Sequence, residues 1–240
     1  MRILGYIPAR LGSERVRSKN LRLLAGRPLI AYAIDTVMKS RTVDRFFVNT
    51  ESDEIAAVSA ALGIDVYRRP ARLAANDTKT DDIVVDFIEN NPCDVVVVVN
   101  PTAPLLSAAT IDHLVEEFLA GDCDGLFSCN LLKKHSLMDG VPLNFDFSKK
   151  SPRTQDLVPV QFVNFIVCMF RTSAALAEFA ATGSFLYKGR VHFANMPDEE
   201  SPDIDWEIDF KMMEAFMRLE DRSAEYHPIL AGRAVDGGCG

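Results

Sequence analysis

Asp94-Val95-Val96-Val97-Val98-Val99-Asn100-Pro101-Thr102-Ala103-Pro104 is the stretch that decides the architecture. A run of five β-branched valines has no polar face, so it predicts a strand over 94–99 buried on both sides, as in a parallel sheet covered by helices. Two prolines around Thr102 fix a rigid turn directly after it. Ligands of open α/β sheets bind outside the carboxyl ends of the strands. That position makes Asn100 and Thr102 candidate ligand contacts, although the segment taken alone reads equally well as a simple turn.

Working outward, strand and helix patterns alternate. Towards the N-terminus, 2–7 reads as a buried strand, followed by a polar loop over 8–20. Leu29, Ile30, Ala33, Ile34, Val37 and Met38 recur at helical spacing, with Pro28 suited to a first helical turn. Strands are expected at 45–49 and 64–67, with a Ser-capped helix at 52–62 between them. A further helix is expected at 80–89. Beyond the valines, Ile111, Leu114, Val115, Phe118 and Leu119 mark an amphipathic helix and 125–129 a strand. The rhythm breaks over 130–159, where Pro, Gly, Asp and Lys interrupt short apolar pieces, and this reads as an inserted arm. Strands at 161–170 and 190–196 and helices at 173–181 and 205–220 complete the pattern. The order implies one α/β domain over 1–230, with a mostly parallel sheet, right-handed crossovers and helices on both faces. A Gly-rich, loose tail follows over 231–240.

The bulk composition narrows the class. An apolar fraction of 48% and a charged fraction of 25% over 240 residues suit a globular domain with a sizeable core. A net charge of −8 argues against a general nucleic-acid binder, while leaving room for a local basic cleft. Cys93, Cys123, Cys129, Cys168 and Cys239 form no CxxC pair and read as small core residues. The N-terminal apolar run is too short for a signal peptide, and no stretch approaches a membrane span. A cytoplasmic protein with no membrane partner is expected.

Two constellations carry chemistry. The loop Pro8-Ala9-Arg10-Leu11-Gly12-Ser13-Glu14-Arg15-Val16-Arg17-Ser18-Lys19-Asn20 follows the first strand and packs Arg10, Arg15, Arg17 and Lys19 beside Gly12, Ser13 and Ser18. Such a loop can wrap a triphosphate with cationic side chains and main-chain N–H groups; the alternative is a solvated basic loop. Neither a G-x-x-x-x-G-K-[ST] nor a G-x-G-x-x-G signature is present, which disfavours a P-loop enzyme and a dinucleotide oxidoreductase. The second constellation is Asp203-Ile204-Asp205. Two carboxylates two residues apart in extended chain project to one side and suit a shared Mg²⁺. For Asp205, capping of the last helix is the competing role.

Together these pieces resemble the acylneuraminate cytidylyltransferase family, the CMP-sialic acid synthetases and their relatives. The resemblance runs from about residue 3 to 210. It rests on Ile7-Pro8-Ala9-Arg10, Gly12-Ser13, Lys19-Asn20, Ala25-Gly26-Arg27-Pro28-Leu29-Ile30, Arg69-Pro70 with Leu73-Ala74 and Asp77-Thr78, Asn100-Pro101-Thr102-Ala103-Pro104-Leu105, Pro152-Arg153 and Asp203-Ile204-Asp205. It implies a Rossmann-like, three-layer αβα nucleotidyltransferase that transfers CMP from CTP to an acidic sugar and releases pyrophosphate. By the same resemblance Arg10 and Lys19 hold the triphosphate, with Gly12 and Ser13 in the nucleotide loop. Asn20, Arg69 and Thr80 lie around the cytidine. Asp203 and Asp205 bind Mg²⁺, Asn100 faces the acceptor, and Arg153 reaches its carboxylate. The arm over 130–160 would cross to the partner in a homodimer.

Departures from the family pattern gather on the acceptor side. Asn100 stands for a Gln, Leu106 for an Arg, Met138 for a Lys and Asn164-Phe165 for an Asn-Gly pair; on the nucleotide side Glu14 stands for a Lys. The acceptor is therefore open among a sialic-acid-like nonulosonic acid, a Kdo-type sugar and a phosphonate. A nucleotide-sugar glycosyltransferase and a catalytically silent nucleotide-binding protein are the competing readings.

Overall fold

A computed structural model describes residues 1–13 and 15–219; Glu14 and the tail expected at 231–240 lie outside the described residues. The strands in chain order are β1 (Ile3–Pro8), β2 (Leu23–Leu24), β3 (Arg27–Pro28), β4 (Arg45–Thr50), β5 (Asp65–Arg68), β6 (Val95–Val99), β7 (Gly125–Leu132), β8 (Leu137–Met138), β9 (Val141–Pro142), β10 (Val160–Arg171) and β11 (Val191–Asn195). The helices are α1 (Leu29–Val37), α2 (Asp53–Ala61), α3 (Thr80–Asn90), α4 (Ala108–Ala120), α5 (Thr172–Thr182) and α6 (Glu207–Met217). Seven strands form one sheet in the order β11-β7-β10-β6-β1-β4-β5. Neighbours pair in parallel except β10, which is antiparallel to both β6 and β7.

The valine run sits at the centre, and all five side chains are buried. Alternation assigns them to two layers. Val95, Val97 and Val99 pack with Ile30 and Ile34 of α1, Ile55 of α2 and Leu114 and Phe118 of α4. Val96 and Val98 pack with Val84 and Phe87 of α3 and Ala175 of α5. This is the three-layer arrangement that a strand apolar on both faces requires. Cys123, Cys129 and Cys168 are buried and free, Cys93 is half-buried and free, and Cys239 lies outside the described residues.

Local chemistry explains the element ends. Ser52 accepts the N–H of Ile55 and caps α2, as its position predicted. Ala25 (φ 46°) and Gly26 (φ 86°) turn the short β2–β3 hairpin, for which two successive left-handed residues are the favoured solution. The last helix begins two residues later than its expected start at 205. The Asp209 carboxylate accepts the N–H groups of Asp205 and Trp206, at 3.0 and 2.7 Å, and holds the chain extended through Asp205. Capping is thus done by Asp209, and the side chain of Asp205 is left for other work.

The chain runs from β1 through β4 to β5 on one side of the sheet, then crosses to β6 on the other side of β1. The topological switch therefore lies between β1 and β6, where a crevice opens at the carboxyl ends. Pro8 and Asn100 stand at those two ends. A third, smaller core closes over the crevice: Val16 of the basic loop and Ile204 of the Asp-x-Asp segment are buried together with Leu24, Leu29, Phe210 and Met213. Burial of two such side chains contributes about 1.5–3 kcal/mol each. It also brings segments 188 positions apart into one site.

Candidate active site

Two cavities share a wall at the switch point. The first, about 390 Å³, is lined by Arg10, Ser13, Arg15, Lys19, Asn20, Thr102 and Asp205 among others. The second, about 420 Å³, is lined by Tyr6, Arg69, Thr78, Thr80, Ile83 and Phe165 among others. Pro8, Arg10, Asn76 and Asn100 belong to both. A cleft with one cation-lined half and one half walled by apolar and aromatic groups suits a molecule made of a polyanion joined to a ring system.

The basic loop is held by its own polar groups. Asn20, 5% exposed, donates from Nδ2 to the carbonyl of Arg10 at 3.1 Å, and its Oδ1 is buried with no partner. Arg10 donates to Asn76 Oδ1 at 2.6 Å and reaches the carbonyl of Ala74 at 3.4 Å, which spans the mouth of both cavities. Lys19 sits in a 3₁₀ turn, Lys19–Leu21, and donates to the carbonyl of Ile204 at 2.5 Å while lying 3.6 Å from Asp205 Oδ1. Arg15 pairs with Asp205 Oδ2 at 3.0 Å and lies over the Trp206 ring. Arg17 is exposed. Gly12 has open space where a Cβ would stand, so its place in the loop demands no glycine on steric grounds.

The Asp pair is presented as its spacing predicted. Ile204 is fully buried, which turns Asp203 and Asp205 to the opposite side. Its N–H donates to the carbonyl of Thr102 at 2.9 Å, so the Asn-Pro-Thr-Ala-Pro turn carries the Asp segment. Burial pushes the Asp203 carboxyl above its usual range, against a hydrogen bond from the Thr102 side chain and with the neighbouring Asp205 charge adding to the rise. Asp203 Oδ1 is buried and has no hydrogen-bond partner. An orphaned carboxylate oxygen beside a second, half-exposed carboxylate is a fitting donor pair for a hard cation that takes its remaining ligands from water and phosphate. Among the described residues, no set of three or more His, Cys, Asp or Glu side chains could hold a metal ion.

Other expected residues are placed less directly. Arg69 lines the second cavity, yet its guanidinium is buried and held by Glu51 Oε2 at 2.8 and 3.2 Å. Thr80 opens α3 on the same cavity. Arg153 is not brought to the cleft: it is exposed on the arm and makes a local pair with Asp156 at 2.8 Å.

Two contributors were not named as site residues: Glu51 had no signal in the sequence, and Phe165 figured only as a departure from the family's Asn-Gly pair. Glu51 accepts the N–H of Leu11 through Oε1 at 3.1 Å while holding Arg69, and so ties the basic loop to the wall of the second cavity. Burial raises its pKa, but the Leu11 N–H and Arg69 outweigh this and leave it below the ordinary value. Phe165 lies in the left-handed region (φ 57°), in an irregularity of β10 between Val163 and Cys168. There the carbonyls of Phe165 and Ile166 accept from the side chain and the backbone N–H of Asn100. The Phe165 ring packs edge-on against Phe127 and Tyr187.

A family model described as cytidylyltransferase matches residues 4–141, more than half of the chain. The chain belongs to the cytidylyltransferase family. It is 28% identical over 221 residues to the N-acylneuraminate cytidylyltransferase of Streptococcus agalactiae serotype III, covering 88% of this chain and 52% of the relative. It is 39% identical over 122 residues to the CMP-N,N'-diacetyllegionaminic acid synthase of Legionella pneumophila, covering 48% and 53% respectively. The chain thus spans about half the length of these curated relatives. A solved structure of CMP:2-keto-3-deoxy-manno-octonic acid synthetase complexed with CTP shares the fold, with a TM-score of 0.70 at 12% identity over 90% of this chain and 98% of that one. The matched cytidylyltransferase segment contains the basic loop, Glu51, Arg69 and the Asn-Pro-Thr-Ala-Pro turn; the Asp pair lies beyond it.

Proposed function

We propose that this cytidylyltransferase transfers CMP from CTP to the hydroxyl of an acidic sugar of the nonulosonic or Kdo-like class and releases pyrophosphate. The observation that carries the reading is the meeting of Lys19, Arg15 and Asp205 at a cation-lined cavity that shares a wall with a second cavity of nucleoside size, with Asp203 two residues from Asp205. In the reaction the acceptor oxygen bonds to the α-phosphorus of CTP and the α–β phosphoanhydride bond breaks. Such transfer needs in-line positioning and charge neutralisation more than covalent help from the protein. Arg10, Arg15 and Lys19 bind the triphosphate and stabilise the departing pyrophosphate. Gly12 and Ser13 bring the loop backbone to the phosphates, and Asn20, Arg69 and Thr80 border the cytidine.

Asp203 and Asp205 would hold Mg²⁺, which supplies neutralisation of phosphate charge and polarisation of the phosphoryl oxygens when bound. In the protein alone, Arg15 and Lys19 engage Asp205; with nucleotide present the same cations face phosphate. Asn100 and Thr102 orient the acceptor at the junction of the cavities. Arg153, paired on the arm, belongs to the acceptor side only if the arm serves a neighbouring site. That agrees with a homodimer joined through the arm, whose Leu137, Met138, Val141, Leu143, Phe147 and Val158 are exposed. Among the described residues no helix is long and apolar enough to cross a membrane.

Calorimetric titration tests the nucleotide half directly. CTP with Mg²⁺ is expected to bind wild-type protein, and to bind Lys19→Met at least about tenfold more weakly, through the lost charge-assisted contact. Equal affinity in both proteins would remove Lys19 from the triphosphate site.

A further inference from the structure

Beside the Asp pair lies a further cavity of about 670 Å³, lined by Asn130, Lys134, Asn164, Asp198, Asp203 and Asp205 among others, which shares Asp205 with the cation-lined cavity. Three of its walls are tied by a hydrogen-bond chain whose direction is fixed. The backbone N–H of Val167 donates to Ser128 Oγ at 2.9 Å, so the hydroxyl proton of Ser128 is directed to Asn164 Oδ1 at 2.5 Å. The N–H of Ile166 donates to the same Asn164 oxygen at 3.1 Å, which settles the orientation of that amide. Asn164 Nδ2 therefore donates to Asn130 Oδ1 at 2.7 Å, and Asn130 Nδ2 donates to Asp198 Oδ1 at 2.9 Å. Asn130 is only 6% exposed, and Ser128 is fully buried. Both amide oxygens are consumed inside the chain, and the chain ends on a carboxylate at the cavity wall.

The polarity of that end has a chemical meaning. Asp198 accepts hydrogen bonds and donates none, and its second oxygen is not used by the chain. Three carboxylates and one lysine line the cavity, so a carboxylate or phosphonate of the acceptor would be repelled at the Asp198 wall. A nonulosonic or Kdo-like acid carries its carboxylate on the carbon that bears the attacking hydroxyl, so the anionic end of the acceptor belongs on the nucleotide side of the Asp pair, where Asn100 and Thr102 stand. We infer that this cavity takes the end of the acceptor acid remote from its carboxylate, and that Asp198 selects a hydrogen-bond-donating substituent there, a hydroxyl or an acylamino N–H. The inference rests on the proposed cytidylyl transfer for the identity of the site, and on the fixed direction of the amide chain for the chemistry it reads.

The test uses N-acetylneuraminate, N,N'-diacetyllegionaminate and 3-deoxy-manno-octulosonate as probes, with wild-type protein, Asp198→Ala and Asp198→Asn. Binding of each acid in the presence of CMP is followed by ligand-observed NMR, and turnover by pyrophosphate release with CTP and Mg²⁺. Both variants should keep the wild-type Tm and CTP KM, while Kd or KM for the preferred acid rises about tenfold or more. Asp198→Asn keeps an oxygen for Asn130, so a purely structural role would be rescued by it. A preference for octulosonate would mark the donor as a hydroxyl, and a preference for an acetamido acid would mark it as an N–H. Unchanged acid affinity in Asp198→Ala, rescue by Asp198→Asn, or binding of none of the three acids to wild type would overturn the inference. Binding that depends on Asp198 without pyrophosphate release would instead uphold it and count against cytidylyl transfer.

Discussion

Asp203 is maintained at a cost to the folded chain. Its carboxyl is largely buried, its pKa is held up by that burial, and one oxygen has no partner. Removing the charge while keeping the shape should therefore relieve the fold and damage the chemistry. Asp203→Asn is expected to melt at the same temperature or higher at pH 7, and to lose turnover by at least about a hundredfold. A lower Tm with near-normal pyrophosphate release would contradict both halves. Glu51 is the opposite case. Its pKa is depressed in the folded protein, so its stabilisation is fully present above the unfolded value of about 4.3 and is lost as pH falls through the lower folded value. Glu51→Gln should destabilise by about 2–4 kcal/mol at pH 7, because a buried Arg69 loses its counter-charge. The difference from wild type should shrink on acidification below pH about 4, measured by denaturant titration. The residue scale also shows what a sequence can announce. The alternation of Asp203, Ile204 and Asp205 declared its own geometry. Glu51 looked like any acid ahead of a helix, because its partners Leu11 and Arg69 are distant in sequence.

Two elements carry the site by departing from regular geometry. The irregularity in β10 places Phe165 at positive φ so that two successive carbonyls meet Asn100, and the ring then lodges against Phe127 and Tyr187. A left-handed residue without a glycine is strained by about 1–2 kcal/mol. Both Phe165→Gly and Phe165→Ala lose the ring packing, but only glycine removes the strain. Phe165→Gly should therefore be the more stable of the two by about 1 kcal/mol in urea unfolding, and equal stabilities would speak against strain at this position. At the start of α6, Asp209→Ala removes the acceptor for two N–H groups. The expected loss is about 1 kcal/mol of stability, together with lower turnover because Asp205 is no longer held extended. These features were not legible beforehand. Periodicity located the strand over 161–170 and a helix over 205–220, but neither the left-handed Phe165 nor the transfer of capping from Asp205 to Asp209 leaves a mark in apolar spacing.

At the scale of the molecule, the order of strands and helices was readable because each helix and strand declares its period, and the valine run demanded layers on both faces. The antiparallel β10 was not readable in that way. An apolar strand pattern is the same in either direction, and what reverses this one is the arm that returns the chain beside β7. The arm's exposed apolar side chains fit a homodimer interface, and a charge among them should split it. Phe147→Asp is expected to sediment as a monomer where wild type sediments as a dimer; a monomeric wild type would refute the arm's assigned role. The proposed nucleotide site lies at the switch between β1 and β6, and the central claim is that the adjoining groups use a nucleotide there to activate an acid. Pyrophosphate release tests that claim most directly, measured with CTP, Mg²⁺ and each of the three acids, and with chelator added as control. Release that requires one of the acids together with Mg²⁺, yielding CMP joined to that acid, is the predicted result. CTP binding with no release on any of them, or release independent of the acid, would contradict it.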